Sequence, residues 1–265
     1  MNALTPRIAL HGATGRMGGA MLAVCRDAGV PIVGAVAAPG CPEIGIDLGG
    51  VHHSSIYGVQ VTADVSAALL GANVVVDFSN SCAVRALANA AREAGLPLVC
   101  GTTGLDDSTL AALKTLSERV AVVWAPNFSL GIQVLTELVR HAVRRLGSSF
   151  DVEIVEMHHR RKTDAPSGTA VRLAREVQSV RSLSECYGRE GVVGARLDEE
   201  LGVFALRGGD VVGDHTVHLL GMGERLEITH RATSREVFAR GALFAARALL
   251  AREPGLWQLV ELLPE

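Results

Sequence analysis

Residues 156–170 read Glu-Met-His-His-Arg-Arg-Lys-Thr-Asp-Ala-Pro-Ser-Gly-Thr-Ala, so His158, His159, Arg160, Arg161 and Lys162 set two imidazoles and three fixed cations in consecutive positions. Such a run repels itself, and a fold keeps it either as a solvated face or because an anion sits against it. The Asp-Ala-Pro-Ser-Gly-Thr turn that follows predicts entry into a helix, whose first backbone N–H groups are open to an anion. A Ser-Gly-Thr cap is common without a ligand. Five basic side chains directly before such a cap favour the anion site over the solvated face.

A second candidate lies near the start of the chain. Residues 7–11 read as a short buried strand running into Gly12-Ala13-Thr14-Gly15-Arg16-Met17-Gly18, a G-x-x-G-x-x-G spacing. Met17, Ala20, Met21, Val24 and Ala28 then follow the three-and-four spacing of a helix packed on one face. Gly29 closes that helix and residues 31–37 form the next strand. Strand, glycine turn, helix and strand make a βαβ unit whose turn brings backbone amides against a pyrophosphate. The acidic residue that usually ends the second strand, to hold the adenosine ribose, is absent, since the chain reads Val36-Ala37-Ala38-Pro39-Gly40.

The elements that must position these residues continue the alternation. Residues 39–58 read as a loop, in which His52 and His53 lack partners at zinc-like spacing and take surface or packing roles; no metal is expected. Strands are predicted at 59–63, 73–78, 97–100 and 121–124, and helices at 65–70, after Ser79-Asn80-Ser81, and after Asp106-Asp107. Two strand exits, Gly101-Thr102-Thr103-Gly104 and Ala125-Pro126-Asn127-Phe128-Ser129, fall on the sheet edge of the Gly12 loop, where open α/β sheets bind ligands.

Helix 132–146 is read with Leu135, Leu138, Val139, Ala142 and Leu146 inward. Beyond Gly147, residues 150–157 alternate as a half-buried strand with Glu153 and Glu156 facing out. A helix is predicted over 167–180, strands at 203–206, 216–220 and 225–232, and a helix over 234–250 through Val237, Phe238, Gly241, Phe244, Ala245 and Ala248. The apolar tail at Trp257 returns to cover the first domain. The expected fold is α/β: a Rossmann-type doubly wound parallel sheet domain (residues 1–129 and 236–265), plus a second α+β domain (130–235). The latter carries a mostly antiparallel open sheet whose exposed face pairs with another subunit.

Composition restricts the function classes. Hydrophobic residues at 48% with 20% charged are ordinary for a globular protein, and 29 glycines with 4% aromatics lean toward α/β with tight turns. A net charge of -3 argues against general affinity for nucleic acid or an anionic membrane. Five cysteines without a C-x-x-C pair, at least three of them in segments read as buried elements, are the usage of a reducing compartment. No apolar run approaches the roughly 18 residues of a membrane span, and residues 1–10 lack a long apolar leader segment. A cytoplasmic location is expected.

Taken in order, the Gly12–Gly18, Gly101–Gly104, Ala125–Ser129 and His158–Thr169 segments closely resemble the dihydrodipicolinate (4-hydroxy-tetrahydrodipicolinate) reductase family. The likeness continues through Tyr187-Gly188-Arg189-Glu190-Gly191 and residues 223–230, and the histidine-to-threonine segment is its most specific part. The resemblance implies reduction of a small cyclic dicarboxylate by NADH or NADPH in diaminopimelate and lysine biosynthesis, by a homotetramer built through the second domain. It implies that Gly12, Ala13, Thr14, Gly15, Arg16 and Met17 hold the cofactor diphosphate. Gly101, Thr102, Thr103, Ala125, Pro126, Asn127 and Phe128 would border the nicotinamide. His158 would be the acid–base residue, Lys162 a proton donor, and His159, Gly168 and Thr169 substrate binders.

The residue types agree. Hydride delivered to a conjugated ring leaves electron density on the neighbouring carbon, which an imidazole is suited to protonate. Arg160 and Arg161 beside Lys162 would disfavour its charge and make it a readier donor. Family members commonly carry an acidic residue near positions 37 and 38, where this chain has Ala37 and Ala38. That loss removes a repulsion against a 2′-phosphate, which Arg16 would meet, so use of both cofactors is expected. The competing readings are another two-domain amino-acid or semialdehyde dehydrogenase and a non-catalytic NAD-sensing paralogue. The doubled histidine before Arg-Arg-Lys favours a dianionic substrate over the first, and sensing alone needs no proton donor.

Overall fold

The computed structural model describes residues 5–264. Short apolar strands alternate with one-faced helices as β1 (Ile8–His11), α1 (Arg16–Asp27), β2 (Ile32–Val36), α2 (Leu48–Val51), β3 (Val61–Thr62), α3 (Val65–Leu69), β4 (Val74–Asp77), α4 (Ser81–Ala94), β5 (Leu98–Cys100), α5 (Asp107–Ser117) and β6 (Ala121–Trp124). Then come α6 (Leu130–Leu146), β7 (Asp151–His158), α7 (Gly168–Gln178), β8 (Ser184–Cys186), β9 (Glu200–Arg207), β10 (Gly213–Gly221) and β11 (Glu224–Ala232). The order ends with α8 (Glu236–Leu249) and β12 (Gly255–Trp257). Two compact units result: the described residues of Met1–Ser129 with Glu236–Glu265, and Leu130–Arg235.

The first unit is a parallel sheet in the order β12-β6-β5-β4-β1-β2-β3. β1, β4 and β5 are buried along their whole length, as strands covered on both faces must be. β1 lies between β2 and β4, so the strand order reverses beside the end of β1, where open α/β sheets bind ligands. α8 packs on β4, β5 and β6. Its expected face is shifted: Val237, Phe238, Phe244 and Ala248 are only partly buried, whereas Gly241 and Ala245 are buried as expected, with Ala239, Ala242, Leu243, Ala246 and Leu249 beside them. The apolar tail joins this unit as an edge strand, β12, beside β6.

The second sheet runs β11-β10-β7-β9-β8. It is mixed rather than mainly antiparallel: β11/β10 and β10/β7 are antiparallel, whereas β7/β9 and β9/β8 are parallel. α7 and the segment after it form the crossover that returns the chain in the direction of β7. Val152 and Ile154 of β7 pack with Leu135, Val139 and Val143 of α6 and Leu173 and Val177 of α7. Leu138, expected on the inner face of α6, is 50% exposed, because that face runs through Ile132, Leu135, Thr136, Val139 and Val143.

Glu153 and Glu156 also depart from expectation, since both are buried. Three residues apart on a strand of period two, they point to opposite faces and cannot both meet solvent on one side. Glu153 is held by Arg189 at 3.0 Å and Arg196 at 2.9 Å, both from the segment between β8 and β9. Glu156 lies on the face that bears Val152 and Ile154, and it begins the candidate site.

Candidate active site

On β7, side chains two apart share a face, so Val152, Ile154, Glu156 and His158 form one buried row. The first two close the core; the last two bring charge to its end. His158 Nδ1 lies 2.6 Å from Glu156 Oε2. Arg207, at the end of β9, donates from Nη1 to Glu156 Oε2 and from Nη2 to Oε1, each at 2.8 Å. The Ser167 backbone N–H donates to Glu156 Oε1 at 2.9 Å. Burial alone would raise the Glu156 carboxyl, but the bonds from His158, Arg207 and Ser167 prevail and hold it down at about 2. Arg207 also donates to the Asp164 carbonyl at 2.7 Å, pinning the turn that leads into α7.

Ser167 is the N-cap of α7: its Oγ accepts from Ala170 N–H at 3.2 Å and lies 3.0 Å from His215 Nε2. His215, on β10 directly across from Glu156, stacks edge-on against His158 with ring centroids 5.2 Å apart. Burial, followed by the neighbouring His158, lowers His215 to about 3, so it is a neutral imidazole. Its Nδ1, like that of His159, is a buried polar atom without a hydrogen-bond partner among the described residues. The Nε2 edge of the His158 ring lies near Gly213, where an added Cβ would stand 2.9 Å from His158 Nε2. Gly168 opens α7 in an exposed position, and a side chain there would meet nothing within 4 Å, so a ligand carboxylate can approach the backbone. Thr169 follows, half-buried.

The five consecutive basic residues are thus divided by the fold. Arg160 and Arg161 are exposed. Lys162 is half-buried with Nζ 2.8 Å from Asp164 Oδ1, so its ammonium has a carboxylate partner and not only the like charges expected from its neighbours. The Lys162 bond in turn holds the Asp164 carboxyl low.

In the first unit the three predicted loops all leave C-terminal strand ends. Gly12 takes φ +78, and a Cβ there would stand 2.5 Å from the Phe78 carbonyl oxygen. Only glycine is free of both penalties. α4 and α5 are capped by Asn80 and Asp106, whereas the N-cap of α1, Gly15, makes no side-chain cap bond. Nothing stands closer than 3.4 Å to a Cβ built at Gly15, which leaves the first amides of α1, at Arg16 and Met17, accessible to a phosphate. Ala13 is buried and Thr14 half-buried; the residues present fit a dinucleotide. At the end of β2, Ala37 is buried and Ala38 exposed, and Arg16 is exposed.

Asp77, fully buried at the end of β4, ties these loops together. It lies 2.7 Å from His11 Nδ1 on β1 and accepts from Ser79 Oγ at 2.6 Å and Thr102 Oγ1 at 2.6 Å. Burial opposes its charge, but these bonds outweigh it and keep the carboxyl low. Trp124 Nε1 donates to the Thr102 carbonyl at 2.9 Å. Gly101 is half-buried and Thr103 exposed; Ala125 is buried, Pro126 exposed and Asn127 half-buried. Phe128 is 1% exposed, with its ring 5.9 Å from that of Phe78 and its carbonyl packed against Gly241 of α8, so this residue belongs to the core and not to the open surface of the loop.

Glu156, Arg207, His215, His11 and Asp77 were not singled out from the sequence. For Glu156 the signal was present: in a strand, a carboxylate two residues before a histidine shares its face.

Residues 6–128 match the family described as Dihydrodipicolinate reductase, N-terminus, and residues 131–263 the family described as Dihydrodipicolinate reductase, C-terminus. A 4-hydroxy-tetrahydrodipicolinate reductase of Thiobacillus denitrificans is 44% identical over 265 residues, covering 98% of this chain and 99% of that one. One from Anaeromyxobacter dehalogenans is 45% identical over 262 residues, 97% of each chain. Among solved structures, the dipicolinate-bound dihydrodipicolinate reductase from Paenisporosarcina sp. TG-14 shares the fold with a TM-score of 0.80 at 23% identity, over 98% of this chain and 100% of that one. An amine dehydrogenase from Mycobacterium smegmatis shares it more distantly, with a TM-score of 0.63 at 16% identity over 99% of this chain and 97% of that one.

Proposed function

The chain belongs to the dihydrodipicolinate reductase family and is an oxidoreductase that uses a reduced nicotinamide cofactor, and we propose that His158 and Lys162 supply the protons of its reaction. That reaction is the reduction of 4-hydroxy-tetrahydrodipicolinate to tetrahydrodipicolinate, in lysine and diaminopimelate biosynthesis. The observation that carries the site assignment is the His158–Glu156 pair set beside the opening turn of α7.

In this reading the unit built from residues 1–129 and 236–265 binds the dinucleotide, and residues 130–235 bind the substrate and form the oligomer. Gly12, Ala13, Thr14, Gly15, Arg16 and Met17 hold the diphosphate, and the exits of β5 and β6 border the nicotinamide, which when bound supplies hydride. His158 protonates the ring carbon next to the reduced position, and Lys162 is a second donor beside it. Gly168 and Thr169 offer hydrogen bonds to one substrate carboxylate, and His159, whose Nδ1 is buried without a partner among the described residues, turns to the other when substrate is bound. The absence of an acid at Ala37 and Ala38, with Arg16 exposed, supports use of both NADH and NADPH. β11 at the edge of the second sheet, with Leu226 45% exposed, supports a homotetramer formed through that sheet. Five free thiols support a cytoplasmic location.

Lys162→Met tests the site. It should lower kcat by about a hundredfold with a much smaller change in the KM for the dicarboxylate; unchanged turnover removes Lys162 from the mechanism.

A further inference from the structure

Glu156 touches both halves of the proposed substrate site. One oxygen, Oε2, faces His158 Nδ1 at 2.6 Å; the other, Oε1, accepts from the backbone N–H of Ser167, the residue that starts the Gly168–Thr169 turn, at 2.9 Å. Arg207 bonds both oxygens at 2.8 Å, so the carboxylate cannot rotate without breaking two charge-assisted bonds. Its side chain is fully buried, and such a group persists only when it is paired throughout.

We propose that Glu156 is a positioning residue that locks the proton donor and the carboxylate-binding turn into one rigid piece. An ionised carboxylate only accepts hydrogen bonds, so the His158 nitrogen facing it must carry a hydrogen. This fixes the Nδ1–H tautomer of the neutral ring and assigns the mobile proton to Nε2. In the reaction step, the electron pair left on the substrate carbon by hydride addition takes the Nε2 proton. A C–H bond forms, the N–H bond breaks, and the imidazolium returns to the neutral Nδ1–H form that Glu156 already holds. A proton from water then restores Nε2–H.

The groups facing His158 are Glu156 on its own strand, Arg207 across on β9 and the His215 ring on β10. Of these, only Glu156 is hydrogen-bonded to the ring. His215 is neutral and packs T-shaped with His158, its Nε2 directed to Ser167 Oγ, so it fills space beside His158 without competing for Glu156. The same carboxylate fixes the start of α7, and thereby keeps the distance between donor and bound carboxylate constant.

This role rests on the reductase reading, so its test carries one readout that needs turnover and one that does not. Glu156→Gln retains an acceptor for Ser167 N–H but removes the charge that dictates the tautomer. Imidazole nitrogen NMR of wild type should show His158 protonated at Nδ1 at a pH where the ring is neutral, and the Gln variant should show a mixture or the other tautomer. In turnover, Glu156→Gln should lower kcat by about a hundredfold with the KM for the dicarboxylate within a fewfold of wild type. Combined with His158→Gln, it should cost nothing further. Nδ1–H retained in the Gln variant, kcat within twofold of wild type, or full additivity with His158→Gln would each overturn the proposal. A wild-type protein without reductase turnover would instead defeat the reductase reading, while the tautomer measurement would still decide the role of Glu156.

Discussion

Glu156 and His215, neighbours across β7 and β10, make the fold sensitive to acid in different pH windows. Glu156 is held at about 2 against an ordinary 4.5, so its contribution is complete above pH 4.5 and is lost as pH falls through 2. The gap corresponds to at most about 3 kcal/mol. His215 is lowered from 6.5 to about 3: the unfolded chain takes up a proton below pH 6.5 that the folded chain refuses, so stability falls from 6.5 down to 3, by at most about 5 kcal/mol. His215→Gln should therefore flatten unfolding free energy between about pH 6.5 and 4, as measured by urea titration at several pH values, whatever its effect at neutral pH. An unchanged slope would mean that His215 is not the buried neutral group. The basic run, the glycine loop and the Ser-Gly-Thr cap were legible because their chemistry is local in sequence. Arg207 and His215 were not: they reach Glu156 and Ser167 through tertiary contacts 51 and 48 residues apart in sequence.

At the level of elements, the buried apolar strands and one-faced helices of the parallel sheet followed from pattern alone. β8 and β12, three residues each and largely exposed or half-buried, carry no period from which to read them. The parallel entry of β9 beside β7 was equally hidden, because it depends on where α7 and the following segment carry the chain. The buried stripe of α8 was legible only at Gly241 and Ala245, because most of it is small residues that serve close approach rather than bulk. There, a Cβ on Gly241 would collide with the Phe128 carbonyl oxygen on the exit of β6. Since neither backbone can yield easily, Gly241→Ala should cost about 1–3 kcal/mol in unfolding free energy and weaken cofactor binding through the displaced β6 loop. Denaturant titration and nicotinamide fluorescence check this; a stable variant with unaltered affinity would show that α8 does not position that loop.

At the scale of the molecule, the second sheet leaves an edge strand and exposed apolar side chains that an assembly would cover, Leu226 among them. Light scattering should give about four times the 27.8 kDa chain mass, and Leu226→Arg should lower it; a monomer for wild type would contradict the proposed tetramer. In the proposed reading the chain reduces a cyclic dicarboxylate with either nicotinamide cofactor. The most direct measurement is loss of nicotinamide absorbance when the freshly generated product of dihydrodipicolinate synthase is added to enzyme with NADH or NADPH. Both cofactors should be oxidised, with kcat/KM values less than about a hundredfold, or ~2.7 kcal/mol, apart. Oxidation of neither would contradict that reading.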